Sequence, residues 1–338
     1  MTTAETLVEI WRADFLECQH RGHAVVSDKS GNIIASWGNP EQIILPRSSS
    51  KMLQALPLIE SGAAKAAGLG TEQLALSCAS HNGAAIHTDR VSAWLDNLGL
   101  GDEDFRCGSH QPKDDDARHA LRDNGQQPCQ MHNNCSGKHS GFLTFNKHIG
   151  GGSEYIEIDH PIQKAVKEAF EEMTGLDTFG YGIDGCAAPN FATTVAGLAR
   201  AMARMADPSG LGTARENAAR SLVSAMREHP LLVAGEGRAC SELMAAMDGK
   251  VAVKTGAEGV FIAKLPDQGL GVALKIEDGA TRASEAAMAA ILVRLGVLSA
   301  DHPMAQKRLN PSILNCREMD TGSIRPDGQF YNNGALLT

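Results

Sequence analysis

The sequence predicts an α+β fold, in which a mixed and mainly antiparallel sheet is flanked by helices and carries an inserted helical lobe. Apolar residues near both ends of the chain alternate with turn residues, as in strands, whereas those in the middle recur every three or four positions, as in helices. Strands from both ends can share one sheet only if the middle loops out and returns. We therefore expect a single two-lobed domain over residues 1–338, with a sheet lobe of about 1–46 and 250–338 and a helical lobe of about 47–249.

The first strands are predicted from three short apolar runs at 7–11, 23–26 and 32–35. The last two runs are separated by the turn sequence Asp28-Lys29-Ser30-Gly31, which is typical of a hairpin. The same pattern returns near the other end of the chain, where apolar runs at 251–254, 259–263 and 269–274 alternate with Gly, Pro and Asp. These two clusters form the predicted sheet.

Helices are predicted between the two strand clusters. One pattern covers 86–98 and ends at Gly99, and another covers 162–173 and ends at Gly175. For the second helix, Asp159 is the expected N-cap and Pro161 stands in the first turn. Further helical patterns cover about 191–206, 213–228, 239–247 and 281–295.

Composition excludes several classes of function. The chain has 31 Lys and Arg against 40 Asp and Glu, a net charge of -9, and no basic cluster that would follow phosphates, so nucleic acid is not an expected partner. No apolar run approaches the roughly 20 residues that span a bilayer, so no membrane partner is expected either. The first residues have neither a basic nor an apolar signal region, so we expect a cytoplasmic protein.

A Ser-x-x-Lys pattern follows the first strand cluster, in Arg47-Ser48-Ser49-Ser50-Lys51. If a helix begins here, Ser48 and Lys51 share one face, and the lysine amine could take the serine proton. Lysine has an ordinary pKa near 10.4, so such a site must bury the lysine or place another cation beside it. The alternative is that the serines cap a helix and Lys51 lies in solvent.

Two further motifs support a serine acyl hydrolase. Lys254-Thr255-Gly256 ends a predicted strand, and Ser80-His81-Asn82 has the Ser-x-Asn form. A Ser-x-x-K helix, a Ser-x-Asn loop and a K-T-G strand in this order resemble the penicillin-recognising serine hydrolases. The alternative for K-T-G is an ordinary turn after an edge strand.

A third group of residues could bind a metal. Cys135 and His139 lie in one polar loop, and Asp184 and Cys186 lie in another. Thiolate and imidazole groups both suit zinc, but no CxxC pair is present. Spacing alone also allows Cys135 and Cys186 to be buried small residues and His139 to be an ordinary buried histidine.

The chain strongly resembles the bacterial asparaginase II family of the rhizobial type, nearly from end to end. The motifs that carry this resemblance are RSSSK at 47–51, CASH at 78–81, NNCSGKHSG at 133–141, DGC at 184–186, VAGEGR at 233–238 and KIEDG at 275–279. The resemblance implies a serine β-lactamase and penicillin-binding-protein-like fold, a homodimer, and hydrolysis of L-asparagine to L-aspartate and ammonia.

The resemblance also assigns roles to individual residues. Ser48 with Lys51 and Ser80 with Lys254 would form two adjacent Ser-Lys pairs, with Ser48 as the nucleophile. A zinc ion (Zn²⁺) would be held by three ligands, which are Cys135, Lys138 and Cys186. Two further residues, His139 and Asp184, would contact the zinc site through water and would also bind the substrate. Because a lysine binds zinc only as the neutral amine, zinc occupancy should fall on acidification.

Arg47 is a candidate clamp for the substrate α-carboxylate, with a structural ion pair as the alternative. Two other functions remain open at this point. A β-lactamase or D,D-peptidase would use the same three motifs, and a zinc-stabilised ligand-binding protein could keep a hydrolase fold without catalysis. Selectivity between asparagine and glutamine is also open, because one methylene is worth only about 1–3 kcal/mol in a pocket.

Overall fold

The structure is a computed structural model that describes residues 3–337. Contacts divide the chain into two compact units. The first unit comprises the residues up to Ser49, Thr193–Asp207 and the residues from Glu242 onward, and the second comprises Ser50–Ala192 and Pro208–Ser241. The two strand clusters at the chain ends therefore belong to one unit.

Twelve strands and fifteen α-helices occur in residues 3–337. The strands are β1 (Glu5–Arg12), β2 (Phe15–Asp28), β3 (Ile33–Trp37), β4 (Ile43–Ile44), β5 (Tyr181–Ile183), β6 (Pro189–Phe191), β7 (Thr193–Thr194), β8 (Ala252–Thr255), β9 (Val260–Leu265), β10 (Leu270–Ile276), β11 (Ser312–Leu314) and β12 (Asp320–Pro326). The helices are α1 (Lys51–Gln54), α2 (Leu56–Glu60), α3 (Ala63–Ala66), α4 (Thr71–Ser77), α5 (Ala85–Leu98), α6 (Asp115–Asp123), α7 (Ser136–Ile149), α8 (Pro161–Thr174), α9 (Val195–Ala206), α10 (Thr213–Glu228), α11 (Pro230–Ala234), α12 (Ala239–Ala246), α13 (Thr281–Arg294), α14 (Pro303–Leu309) and α15 (Gly328–Tyr331).

The first unit contains an eight-stranded antiparallel sheet. Its strand order is β11-β12-β1-β2-β10-β9-β8, and β3 also pairs with β2. Strand β2 from the start of the chain lies beside β10, with Val26 opposite Val272 and Ala24 opposite Leu274, and all four side chains are buried. This long-range pairing confirms the predicted α+β class and the mainly antiparallel sheet. The strands β11 and β12 have no counterpart in the predicted runs.

Helix α9 packs on this sheet, against β2, β9 and β10. The prediction placed its residues, within 191–206, in the helical lobe, but the contacts assign Thr193–Asp207 to the first unit. A glycine makes the close packing possible: a Cβ built on Gly271 of β10 would lie 2.1 Å from the Ala203 nitrogen and 2.2 Å from the Ala199 oxygen. Periodicity reports that a helix has an apolar face but does not report which element covers it.

The second unit is mainly helical and carries the short hairpin β5–β6. Helix α5 ends at Gly99 in the left-handed conformation, as predicted. Helix α8 begins at Pro161 and ends at Gly175, also as predicted, but its N-cap is His160 rather than Asp159. The His160 ring accepts a hydrogen bond from the Ile162 N–H at 3.2 Å, which supplies the acceptor that a carboxylate would otherwise provide.

The substitution Gly271→Ala should destabilise the protein by about 3 kcal/mol, because the new methyl group would force the backbones of β10 and α9 apart. Urea denaturation followed by circular dichroism measures this loss. Gly152→Ala is the control, since a methyl group at that position would have no atom within 4 Å and a change within about 0.5 kcal/mol is expected. Equal stability of both variants would contradict the tight contact between α9 and β10.

Candidate active site

The three serines at 48–50 lie in a short 3₁₀ helix, Arg47–Ser50, which leads directly into α1. Arg47 has a φ of 55°, a strained value for a residue with a side chain. The Ser49 hydroxyl donates to the Pro46 carbonyl at 2.7 Å, and Ser50 stands at the N-cap of α1 without a capping bond from its side chain. The simple capping alternative therefore does not explain this triplet of serines.

Lys51 is buried, with 1% of its surface exposed, so it is not the solvated first-turn residue of the alternative interpretation. Its Nζ donates to Ser80 Oγ at 2.9 Å and also to the Ala79 carbonyl oxygen. Ser80 is buried as well. The second unit thus brings together a buried lysine nitrogen and a serine hydroxyl, the two groups that a Ser-Lys hydrolase needs.

The loop Ser80-His81-Asn82 is held by the segment that contains the VAGEGR motif. The Ser80 N–H donates to the Val233 carbonyl at 2.9 Å. Gly235 has a φ of 107°, and a Cβ there would lie 2.5 Å from the Asn82 side chain. The glycine therefore allows the motif backbone to lie against Asn82, and one sequence motif fixes the position of another.

His81 is a neutral histidine whose tautomer follows from its partners. Its Nδ1 accepts a hydrogen bond from the Gly83 N–H at 3.2 Å, and its Nε2 lies 2.9 Å from Ser136 Oγ. Since Ser136 Oγ donates to the Met131 carbonyl at 2.9 Å, the proton between His81 and Ser136 belongs to His81 Nε2. Burial, followed by electrostatic repulsion from His87 and Lys51, holds the pKa of His81 well below its usual value. His81 thus joins the Ser-x-Asn loop to the start of α7 without adding charge.

Two thiols and a lysine form a buried cluster in the second unit. Lys138 Nζ donates to Cys186 Sγ at 3.0 Å. The side chains of Cys135 and Cys186 interact by hydrogen bonding, which holds the pKa of Cys186 well below and the pKa of Cys135 well above the usual thiol value, and Cys135 Sγ also lies 3.4 Å from Asn134 Oδ1. Burial acts to lower the pKa of Lys138, but the negative charge of the neighbouring Cys186 sulfur outweighs it and the pKa is raised. The cluster is therefore an ammonium-thiolate pair with a neutral thiol beside it.

His139 and Tyr155 lie behind this cluster. The Tyr155 hydroxyl accepts a hydrogen bond from the Arg106 N–H at 2.9 Å, so its own proton is directed to His139 Nδ1, also at 2.9 Å. Burial, followed by the positive charge of Lys138, lowers the pKa of His139 to about 4. The ring is neutral and carries its proton on Nε2. This buried nitrogen makes no hydrogen bond of normal geometry within residues 3–337, although the Cys186 charge acts on the ring.

Turns and close helix packing in the backbone fix the positions of Cys135, Lys138 and Cys186. The Cys135 N–H donates to Asn133 Oδ1 at 2.8 Å, which fixes the turn before α7. A Cβ on Gly137 would lie 2.4 Å from the Leu76 carbonyl oxygen, so glycine allows α7 to pack closely on α4. Ala187, which follows Cys186, has a φ of 65°. Strain of this kind costs about 1–3 kcal/mol and is concentrated at functional sites.

The donor atoms of this cluster fit a zinc ion. Within residues 3–337, no group of three or more His, Cys, Asp or Glu side chains has a metal-binding arrangement. Cys135 and Cys186 supply two sulfurs, and the Lys138 nitrogen, 3.0 Å from the Cys186 sulfur, is a third donor in contact with them. Sulfur and nitrogen donors suit zinc. Half-buried Asp184 acts on Lys138 through its charge, so it lies near the cluster as well.

The remaining predicted site residues lie in the first unit. Ser48 is half-buried, and Lys254 is fully buried and donates to the Thr255 carbonyl at 2.8 Å. Arg47 Nη1 lies 3.9 Å from Glu258 Oε1. Since Lys51 and Ser80 belong to the second unit, the pairings of Ser48 with Lys51 and of Ser80 with Lys254 stay predictions.

Sequence reasoning did not single out His81 as a link between loops, nor Tyr155 at all. The signal for His81 is its place in the middle of the Ser80-His81-Asn82 motif, but the motif does not indicate the hydrogen bond to Ser136. Tyr155 belongs to no motif, and its one signal is that the chain has only three tyrosines. It is fully buried, and a buried tyrosine hydroxyl usually has a hydrogen-bond partner.

Tyr155→Phe should lower the free energy of unfolding by about 1–3 kcal/mol, because the Arg106 N–H and His139 Nδ1 both lose their partner. It should also release His139 from its single tautomer, which ¹⁵N NMR of the imidazole detects. Tyr181→Phe is the matched control, since Tyr181 is 49% exposed. An unchanged His139 spectrum in Tyr155→Phe would contradict the assigned hydrogen bond.

The chain matches no curated protein sequence, but several solved structures are similar to it. A β-lactamase from Mycobacterium bovis is 15% identical, with a TM-score of 0.42 over 80% of this chain and 93% of that chain. A penicillin-binding protein homologue from Caulobacter crescentus is 12% identical, with a TM-score of 0.39 over 78% of this chain and 90% of that chain. A protein named Mglu is 14% identical, with a TM-score of 0.46 over 84% of this chain and 66% of that chain.

All three TM-scores lie below 0.5, so these similarities are distant. None of the helices within residues 3–337 has the length and apolar character needed to cross a membrane. The family model described as L-asparaginase II matches residues 8–326, which is nearly the whole chain. The chain is an enzyme that belongs to the L-asparaginase II family.

Proposed function

We propose that this enzyme hydrolyses the side-chain amide of L-asparagine to L-aspartate and ammonia through a covalent acyl-enzyme formed on a Ser-Lys nucleophile. The family supports the overall reaction. The observation that carries the mechanism is the buried contact of 2.9 Å between Lys51 Nζ and Ser80 Oγ. Lys51 itself follows Ser48 by about one helical turn of sequence. A lysine nitrogen and serine hydroxyls in a buried site can move protons without a histidine base.

In the first half of the reaction, Ser48 Oγ attacks the side-chain amide carbon of asparagine. Lys51, which must be present as the amine for this step, takes the Ser48 proton. Backbone N–H groups hold the negative charge that develops on the amide oxygen. The C–N bond then breaks, the nitrogen leaves as ammonia after it receives a proton, and a β-aspartyl ester remains on Ser48.

In the second half, water attacks the ester carbon and L-aspartate leaves as Ser48 recovers its proton. The Ser80 hydroxyl accepts a hydrogen bond from Lys51 and can also donate its own proton, as a relay requires. We assign the relay of protons in this half to Ser80 and Lys254. The neutral His81 beside Ser80 fixes the loop and does not itself enter the relay, because both of its nitrogens have partners.

The cluster of Cys135, Lys138 and Cys186 is proposed to hold zinc. The contact of 3.0 Å between Lys138 and Cys186 and the hydrogen bond between the two thiols bring all three donor atoms together. When bound, zinc would organise the pocket and orient the substrate, since a serine nucleophile is already available. His139 and Asp184, which flank the cluster, are proposed to contact substrate or ordered water. We also propose that the enzyme is a homodimer.

Ser48→Ala should lower kcat for L-asparagine by at least about a thousandfold, because the nucleophile is lost. Coupled ammonia release measures turnover, and rapid quenching with intact-protein mass spectrometry should show a β-aspartyl adduct only when Ser48 is present. Ser49→Ala is the matched control, since Ser49 donates its hydroxyl to Pro46 and should keep turnover within a few-fold. Near wild-type turnover in Ser48→Ala would exclude Ser48 as the nucleophile, and nitrocefin hydrolysis in place of asparagine hydrolysis would favour a β-lactamase.

Cys186→Ser and Lys138→Met should each lower the zinc content of the purified protein from about one ion per chain to a small fraction of that, because each removes a donor atom. Atomic emission spectrometry after equilibration with zinc measures the content. Cys316→Ser is the control, since Cys316 is an exposed thiol elsewhere in the chain and zinc content should not change. Full zinc content in Lys138→Met would remove lysine from the ligand set.

A further inference from the structure

The first unit contains a cavity in which Arg47 is the only lining residue with a role assigned so far. Its volume is about 430 Å³, within the range of roughly 300–1,000 Å³ that is usual for small-molecule sites. It contains part of the KIEDG motif, which the proposed mechanism does not use. The lining residues that can bind a ligand through charge or hydrogen bonds include His23, Arg47, Glu258, Lys275 and Glu277.

The cavity combines two positive with two negative side chains. Arg47 and Lys275 are the cations, and Glu258 and Glu277 are the carboxylates. Arg47 Nη1 and Glu258 Oε1 are 3.9 Å apart, at the outer limit of an ion pair, and the Glu258 side chain is 70% exposed. Both signs of charge therefore face one small space, which suits a small ligand that itself carries both signs.

His23 provides a buried donor in this cavity. It is 2% exposed, and its Nδ1 accepts a hydrogen bond from the Asn39 N–H at 2.9 Å. Burial lowers the pKa of His23, so the neutral ring carries its proton on Nε2. Within residues 3–337, this Nε2–H makes no hydrogen bond of normal geometry: Glu277 Oε1 lies 3.5 Å from it and acts on the ring only as a long, weak acceptor. A buried N–H without an acceptor costs about 1–3 kcal/mol, and a ligand oxygen at normal hydrogen-bond distance would recover the part of that cost that the long contact leaves.

The cavity lies next to two catalytic candidates along the chain. Arg47 immediately precedes Ser48, and Glu258 follows the Lys254-Thr255-Gly256 segment after one residue. Both Arg47 and Glu258 are strained, with φ values of 55° and 56°. Two charged lining residues in the left-handed conformation, each beside a catalytic motif, indicate that their positions serve a ligand rather than stability alone.

We propose that this cavity binds the α-amino-acid head group of the amide substrate, with its carboxylate on Arg47, Lys275 and His23 Nε2–H and its ammonium on Glu258 and Glu277. This inference rests on the proposed function. It assigns to the KIEDG motif the recognition of a free amino acid. Substrates that lack either head-group charge, such as an asparagine inside a peptide, lose these contacts.

The test compares two amides that differ only in the α-ammonium group, L-asparagine and succinamate. Glu258→Gln should raise KM for L-asparagine by about 10- to 100-fold, because a contact between charged groups is lost, with kcat within about twofold. The same variant should leave KM for succinamate unchanged. Lys275→Met should raise KM for L-asparagine but not for 3-aminopropanamide, which lacks the carboxylate. Glu41→Gln, an exposed carboxylate outside the cavity lining, is the control for both substrates.

Equal KM changes for both amides in Glu258→Gln, or no change for either, would overturn the assignment. If the wild-type enzyme does not hydrolyse L-asparagine, the proposed function fails, and calorimetric titration of L-asparagine into the Ser48→Ala protein then decides the head-group site. Binding that is weakened at least tenfold by adding Glu258→Gln supports the site, and binding that is unchanged or absent overturns it. Thermal melting of each variant confirms that it is folded.

Discussion

The structure depends on two buried lysines whose side-chain nitrogens must find hydrogen-bond acceptors. Lys51 and Lys138 are both almost fully buried, and an ammonium without a partner in such a place costs several kcal/mol. Each lysine therefore fixes what surrounds it: Lys51 holds the loop at Ala79 and Ser80, and Lys138 holds the turn at Cys186. The candidate catalytic and metal-binding side chains and the loops that carry them are positioned by the same contacts.

Two histidines provide rigidity near these lysines without adding positive charge. In His81 one nitrogen accepts and the other donates, and the tyrosine hydroxyl fixes His139 in the same protonation state. Burial and the nearby lysines lower the pKa of both rings, so repulsion and hydrogen bonding favour the same neutral form. The buried charges of the second unit, such as Lys138, are therefore surrounded by histidines that are neutral and hydrogen-bonded.

The sequence predicted those features that depend on interactions between residues close together in the chain. The strand clusters, the helix that ends at Gly99 and the Ser48-to-Lys51 segment were recognisable because periodicity, glycine caps and motif spacing act over a few residues. The packing of α9 on the sheet depends on the absence of a side chain at Gly271, which only the assembled backbone makes visible. Tyr155 reaches His139 through tertiary packing, which no local pattern reports, and the burial of Lys51 could be expected only on the condition that the Ser-x-x-Lys motif is catalytic.

The pairing of β2 with β10 has a consequence for how the protein is made. Strand β2 ends at Asp28 and its neighbour β10 ends at Ile276, so one strand is synthesised about 250 residues before the other. At translation rates of about 5–20 residues per second, β2 waits roughly 12 to 50 s for this partner. During that interval its buried run at Ala24, Val25 and Val26 has an open edge, which is a template for pairing with other chains. The nascent protein is therefore expected to need protection by chaperones along this part of β2, which β3 pairs on one edge and β10 covers later on the other.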